Sequence, residues 1–286
     1  MCDLWKSTTA QPIPLGAIPA QIDQALAQVR RVAPATAAGA DGVPTPGIGT
    51  PGISQVKLYN SGSFFDPRAV PPEDHPAIAE RARLWERVIV ECHPALVDAR
   101  CLRFRDLLAQ GQASAATAPP RLEVALGLET ANAEVLEKLN KRMTLDQFRH
   151  TADFLRVNGL ALRVFVLVRP PFLDEAAARH WAQRSIDFAF DCGATAVTLI
   201  PVRAGNGALD ALAAQGRFAP PRLASVEAVA DYGVGLARGR VFVDLWDLER
   251  FSACPACFER RRARLQTLNL HQTTPPPIDC PACGGG

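Results

Sequence analysis

Residues 161–201 read ALRVFVLVRPPFLDEAAARHWAQRSIDFAFDCGATAVTLIP, and this stretch decides the fold class. Ala161–Val168 is a short aliphatic run closed by Arg169-Pro170-Pro171. Asp174–Asp191 is long enough and amphipathic enough for a helix, and Ala196–Pro201 is a second apolar run. Two apolar strands joined by a helix form the crossover unit of a parallel sheet. The same alternation continues outward. Gln55–Tyr59, Val88–Cys92, Leu122–Leu128 and Val241–Leu245 are further short aliphatic or β-branched runs bounded by Gly, Pro or polar residues. Helices are expected at Pro19–Arg31, His75–Glu86, Leu96–Gln110, Thr144–Asn158 and Arg222–Tyr232. Thr144 with Gln147 three residues later makes a capping box, and Asn158-Gly159 makes a helix stop.

The expected class is therefore α/β, either barrel-like or doubly wound, with its chemistry at the carboxyl ends of the strands. Polar punctuation falls there: Ser61-Gly62-Ser63 after one strand, Gly127-Leu128-Glu129-Thr130 at the end of another, and Arg169-Pro170-Pro171 after a third. No strand precedes the first helix, so the sheet is expected to be one strand short at its amino end.

The 286 residues suffice for one large domain, expected over 1–250, and a small appendage over 251–286. Apolar residues make up 48% and charged residues 21%, which favours a packed core over disorder. A net charge of +2 gives no global pull toward nucleic acid or membrane. No apolar run approaches the roughly 20 residues of a membrane span, and no signal peptide is visible, so a cytoplasmic protein without membrane contact is expected. Arg260, Arg261, Arg262 and Arg264 read as a solvated helix face, with nucleic-acid contact as the alternative. The five histidines have no ligand spacing among themselves.

The strongest chemical signal lies at the end of the chain. Cys254-Pro255-Ala256-Cys257 and Cys280-Pro281-Ala282-Cys283 are two knuckles separated by 22 residues (258–279). Four thiolates so paired suit a tetrahedral zinc in a small zinc-ribbon-like module. An auxiliary iron–sulfur cluster and two redox-active pairs are the competing readings. With four thiolates and no open position, the site is expected to be structural.

A resemblance runs through the rest. Cys2-Asp3-Leu4-Trp5-Lys6, Lys57-Leu58-Tyr59-Asn60-Ser61-Gly62-Ser63-Phe64-Phe65-Asp66, Gly127-Leu128-Glu129-Thr130 with Asn132, Asn140-Lys141 and Arg169-Pro170-Pro171-Phe172-Leu173 recur in one order. Together they resemble a branch of the radical S-adenosylmethionine (SAM) superfamily that includes the radical subunit of archaeosine synthase. The resemblance implies a partial (β/α)6 barrel lacking its first strand, a 4Fe-4S cluster, bound S-adenosylmethionine and an external electron donor. It implies tRNA or a nucleoside as substrate.

By position, Cys2 takes the third cluster-ligand place, Ser61, Gly62 and Ser63 the loop that receives the methionine amino group, and Glu129 a place near the ribose or methionine. It implies no catalytic side chain. Such a cluster needs three closely spaced thiolates, and Cys92, Cys101 and Cys192 read as ordinary buried thiols. The chain as written is thus expected to be inactive and to begin within its own cluster loop. Two other readings remain open: a non-catalytic degenerate barrel that binds nucleic acid through its zinc-containing tail, and an unrelated α/β-barrel enzyme.

Overall fold

The computed structural model describes residues 13–32, 54–59, 62–110, 118–205 and 207–283. They fall into two units, one up to Val124 and one from Ala125. The first holds α1 (Ala17–Val32), β1 (Gln55–Leu58), α2 (His75–Ala82), β2 (Arg87–Cys92) and α3 (Ala99–Ala109). The chain passes into the second within β3 (Arg121–Glu129). There follow α4 (Ala133–Lys138), α5 (Leu145–Val157), β4 (Ala161–Val168), α6 (Glu175–Asp191) and β5 (Ala196–Pro201). The unit ends with α7 (Ala208–Ala214), α8 (Leu223–Gly235), β6 (Arg240–Val243) and α9 (Pro255–His271).

The strand order is β1-β2-β3-β4-β5-β6, without reversal. A doubly wound sheet reverses its order at a switch point, so the sequential order selects the partial-barrel class. In the first unit β1 pairs in parallel with β2, Gln55 opposite Arg87. In the second, β5 pairs in parallel with both β4 and β6.

The core of the first unit is aromatic. Phe64 stacks on His75 with centroids 5.3 Å apart and planes 11° apart, and Phe65 and Phe104 meet the same imidazole edge-on. Burial pushes the His75 pKa down, which keeps the ring neutral among the phenyl groups. Arg87 donates to the fully buried Glu123 at 2.6 Å, so that carboxylate is paired rather than stranded.

In the second unit β4 alternates as a strand should. Val164, Val166 and Val168 are buried on one face. Arg163, on the other face, is also buried; it donates to Thr198 at 3.0 Å and lies 4.9 Å over the Phe242 ring. The sheet's last strand is closed by side chains instead of another strand. Gln272 donates to the Val241 carbonyl and accepts from the Val241 N–H at 2.6 Å. Asn269 makes the same two bonds with Val243, both at 2.8 Å. Gln272 is left-handed at φ 54° to reach this position, a conformation that the two amide bonds hold in place.

An open edge is a template for unwanted pairing, and here two amides occupy it. Replacing Asn269 and Gln272 together by alanine returns four backbone groups to solvent. The expected loss is about 1–3 kcal/mol in urea denaturation, with more aggregation above the midpoint. An unchanged midpoint in the double variant would show that the edge needs no such cover.

Candidate metal centre

The two cysteine knuckles converge. Cys254 is the extended residue before α9, Pro255 occupies the first helical position, and Cys257 lies in the first turn. Proline suits that position because its missing N–H would have no partner there anyway. The second knuckle follows Pro275-Pro276-Pro277 and closes on a turn in which the Cys283 N–H donates to the Cys280 carbonyl at 3.2 Å. Cys254 Sγ lies 3.9 Å from Cys280 Sγ, and Cys257 Sγ lies 3.8 Å from Cys283 Sγ. All four sulfurs are within 4.8 Å of one another.

These distances can be set against the geometry of a single bound ion. A tetrahedron's edge is about 1.63 times its centre-to-corner length, so a metal–sulfur bond of about 2.3 Å needs sulfurs about 3.8 Å apart. Thiolates bound to four separate irons must stand wider than four bound to one ion. The donor set fits a single tetrahedral ion. Desolvation opposes charge on these thiols, yet hydrogen bonds from Cys257 and Cys283 bring the Cys254 pKa down to about 7. Desolvation and the neighbouring sulfurs push Cys257 up to about 12. A metal at this site would therefore displace protons as it binds.

Half of the basic run beside the knuckle is not solvated, which corrects the sequence expectation for Arg261 and Arg264. Arg261 and Arg264 are buried, at 6% and 4% exposure. Arg261 pairs with Glu227 at 3.1 Å, while Arg264 pairs with Asp231 at 2.8 Å and reaches Glu227 at 3.9 Å. The reason is geometric: 227 and 231 are one turn apart on α8, 261 and 264 nearly one turn apart on α9, so the two pairs meet across the helix contact. Arg264 also donates to the carbonyls of Pro275 and Pro276, and Arg260 to that of Asp279. The run thus lays the proline segment along α9 and delivers Cys280 and Cys283 to the first knuckle. Of the four arginines, Arg260 and Arg262 are exposed, and among the described residues Arg262 pairs only with Glu259 of its own helix.

Of the other residues singled out, Cys2 and Ser61 lie outside the described residues. Gly62 is exposed, and Ser63 Oγ accepts the His93 N–H at 2.9 Å, tying the loop after β1 to the end of β2. In the second unit Glu129 ends β3 in the left-handed region at φ 69° and binds Lys141 Nζ at 2.6 Å. Gly127 makes room for that pair, since a Cβ there would stand 2.5 Å from Glu129 Oε1 and 2.7 Å from Lys141 Nζ. Lys141 is a partner the sequence reading of Glu129 did not include; the 12-residue separation hid it.

No protein-family model matches the chain. It is 32% identical over 173 residues to archaeosine synthase subunit beta of Methanosarcina acetivorans, covering 60% of this chain and 48% of that protein. It is 29% identical over 142 residues to the subunit of the same name from Thermococcus kodakarensis, covering 48% of this chain and 41% of that one. The solved structure of Elp3 from Methanocaldococcus infernus superposes with a TM-score of 0.53 at 16% identity, over 78% of this chain and 51% of its own. The chain is a relative of the radical SAM superfamily. It spans about half the length of the curated relatives it matches.

Three further thiols of this radical SAM relative are buried. The Cys92 pKa is pushed up to about 12 and that of Cys101 to about 11, in both cases first by burial. Burial also raises that of Cys192. A cluster ligand must be a thiolate, and these environments oppose one. Among the described residues no helix is long and apolar enough to cross a membrane.

Proposed function

We propose that the chain belongs to a radical SAM enzyme acting on a nucleoside in tRNA. The similarity to the archaeosine synthase beta subunits is the observation that carries this reading. Cys2 would be one of three thiolates on a 4Fe-4S cluster, whose open iron takes the amino and carboxylate groups of S-adenosylmethionine. When bound, that pair supplies radical chemistry begun by breaking a carbon–sulfur bond, with the electron drawn from an external donor. Ser61, Gly62 and Ser63 would meet the methionine end. Glu129, held in place by Lys141, would meet the ribose or methionine. Cys254, Cys257, Cys280 and Cys283 would hold one zinc ion in a closed, structural site. The compartment consistent with free thiols and a reduced cluster is the cytoplasm.

A second reading rests on the closed four-cysteine site: a non-catalytic barrel serving as a zinc-containing nucleic-acid-binding module. Anaerobic reconstitution with iron, sulfide and a reductant separates the two. The chain as written is expected to release no 5′-deoxyadenosine, whereas a version extended through its upstream reading frame is expected to release it. Release by the chain as written would overturn the ligand assignment at Cys2. An extended version without cysteines and without release would leave the binding module as the better reading.

A further inference from the structure

A cleft of about 760 Å³ opens in the second unit between α4, the segment after β4 and the segment after α7. Its walls carry Lys138, Arg169, Phe172, Asp174, Arg217 and Phe218. Phe218 is buried and packs beneath the cleft with Val202 and Leu209. Phe172 is half-exposed, and its backbone is left-handed at φ 74°, as is that of Arg169 at φ 59°. A bulky residue in that region is strained, and strain of this kind persists only where its surroundings enforce it. Two contacts do so. The Phe172 N–H donates to the Arg217 carbonyl at 2.8 Å, and Arg169 donates to the Pro220 carbonyl at 2.7 Å while pairing with Glu175. The phenyl ring is therefore presented on a pinned loop.

The charges around the ring have a sign. Lys138 Nζ lies over one face of the Phe172 ring, 5.8 Å from its centre, leaving the other face for a base, and its i,i+4 pair with Glu134 is exposed, the kind of pair that an incoming anion exchanges at little cost. Arg217 is exposed, and among the described residues its guanidinium meets no carboxylate. Asp174, the acid of the cleft, is committed to capping α6 by accepting the Ala177 N–H at 2.8 Å.

We propose that this cleft holds one nucleotide of a single-stranded RNA segment, its base stacked on Phe172 and its flanking phosphates on Lys138 and Arg217. The proposal rests on the tRNA reading above and specifies where the strand lies. A flat ring in a cleft whose walls also carry Lys138 and Arg217 matches an unstacked base joined to phosphates, and sequence-tolerant stacking on aromatic rings is how single strands are commonly held. A base-paired duplex would keep its bases from the ring.

The test uses the whole chain and a fluorescein-labelled single-stranded RNA 12-mer, with anisotropy read across a salt series. Phe172→Leu is expected to weaken binding about 10-fold, and Lys138→Glu with Arg217→Glu at least as much. Neutralising instead, as Lys138→Gln with Arg217→Gln, should flatten the log–log salt slope by about 1.4, the value for two phosphate contacts on a single strand. Lys138 and Arg217 are exposed, so their variants should melt within a few degrees of the parent. RNA binding left unchanged in all these variants would overturn the cleft while leaving the tRNA reading intact. No RNA binding by the parent chain would overturn both. Competition by free AMP as strong as by RNA would mark a mononucleotide site, and equal competition by poly-glutamate an acidic-peptide site; either overturns the strand proposal.

Discussion

Glu227→Ala is expected to destabilise the second unit by about 3–5 kcal/mol, the usual cost of removing one partner from a buried ion pair. The Glu227 side chain is only 10% exposed, and those of Arg261 and Arg264 are 7% and 3% exposed. Removing the carboxylate takes from Arg261 a buried ionic partner at 3.1 Å, while Arg264 keeps Asp231 at 2.8 Å and the proline carbonyls. Asp231→Ala is for that reason expected to cost less. Glu259→Ala, which breaks the exposed Arg262 pair, should cost under about 1 kcal/mol.

The wild-type network need not be a net stabiliser. Burial raises the Glu227 pKa above its ordinary 4.5, with Arg261 and Arg264 pulling the other way. A carboxyl raised on folding holds its proton more tightly in the folded chain. Its contribution to stability therefore declines as pH rises from 4.5 through the folded value. Its evident work is alignment, fixing how α9 lies on α8 and where the proline segment runs. Urea denaturation of the three variants at neutral pH checks the ranking. A Glu227→Ala loss no larger than that of Glu259→Ala would show that the buried arginines are solvated in solution.

How much of this was legible beforehand follows from the range over which each feature is encoded. The strands Ala161–Val168 and Ala196–Pro201 have the bounds their apolar runs implied, because consecutive aliphatic residues between polar breaks leave one reading. The Thr144–Gln147 capping box is present with both its bonds, at 2.8 and 3.1 Å, since its partners are three residues apart. Gly159 takes the left-handed turn expected of a helix stop. The cysteine pairs announced their convergence by repeating one tetrapeptide.

Features set by distant partners were not legible. The arginine run read as solvated because Glu227 and Asp231 lie some 30 residues earlier; the signal available was a pair of acids one turn apart on the otherwise apolar α8. Short α4 and α7 escaped notice, being too brief to show a helical period. The choice between barrel and doubly wound sheet was likewise open, since strand order is a property of pairing and not of any one segment.

Stripping the metal from the cysteine site, or replacing Cys257 by serine, is expected to lower the melting temperature by at least about 10 °C. A tail held by metal alone would become disordered from about residue 254 onward. The structure restricts that outcome. Leu265 and Leu268 of α9 are fully buried, and Asn269 and Gln272 bind the edge of β6, so the helix has anchors that no metal supplies. Beyond it the tail has few. Arg260 and Arg264 hold the carbonyls of Asp279, Pro275 and Pro276, and of residues 273–283 only Cys280 is buried.

Metal loss should therefore release residues 273–283 and fray the first turn of α9, leaving its C-terminal half seated on β6. Hydrogen exchange with and without a chelator resolves this. Rapid exchange is expected at Cys257–Glu259 and at 279–283, with protection retained from Leu265 to Gln272. Elemental analysis of the same preparation should give one zinc per chain. Stoichiometric iron with acid-labile sulfide would reject the single-ion site that sulfurs 3.8–3.9 Å apart are spaced to hold, and exchange unaltered by complete removal of metal would show that the arginines alone order the tail.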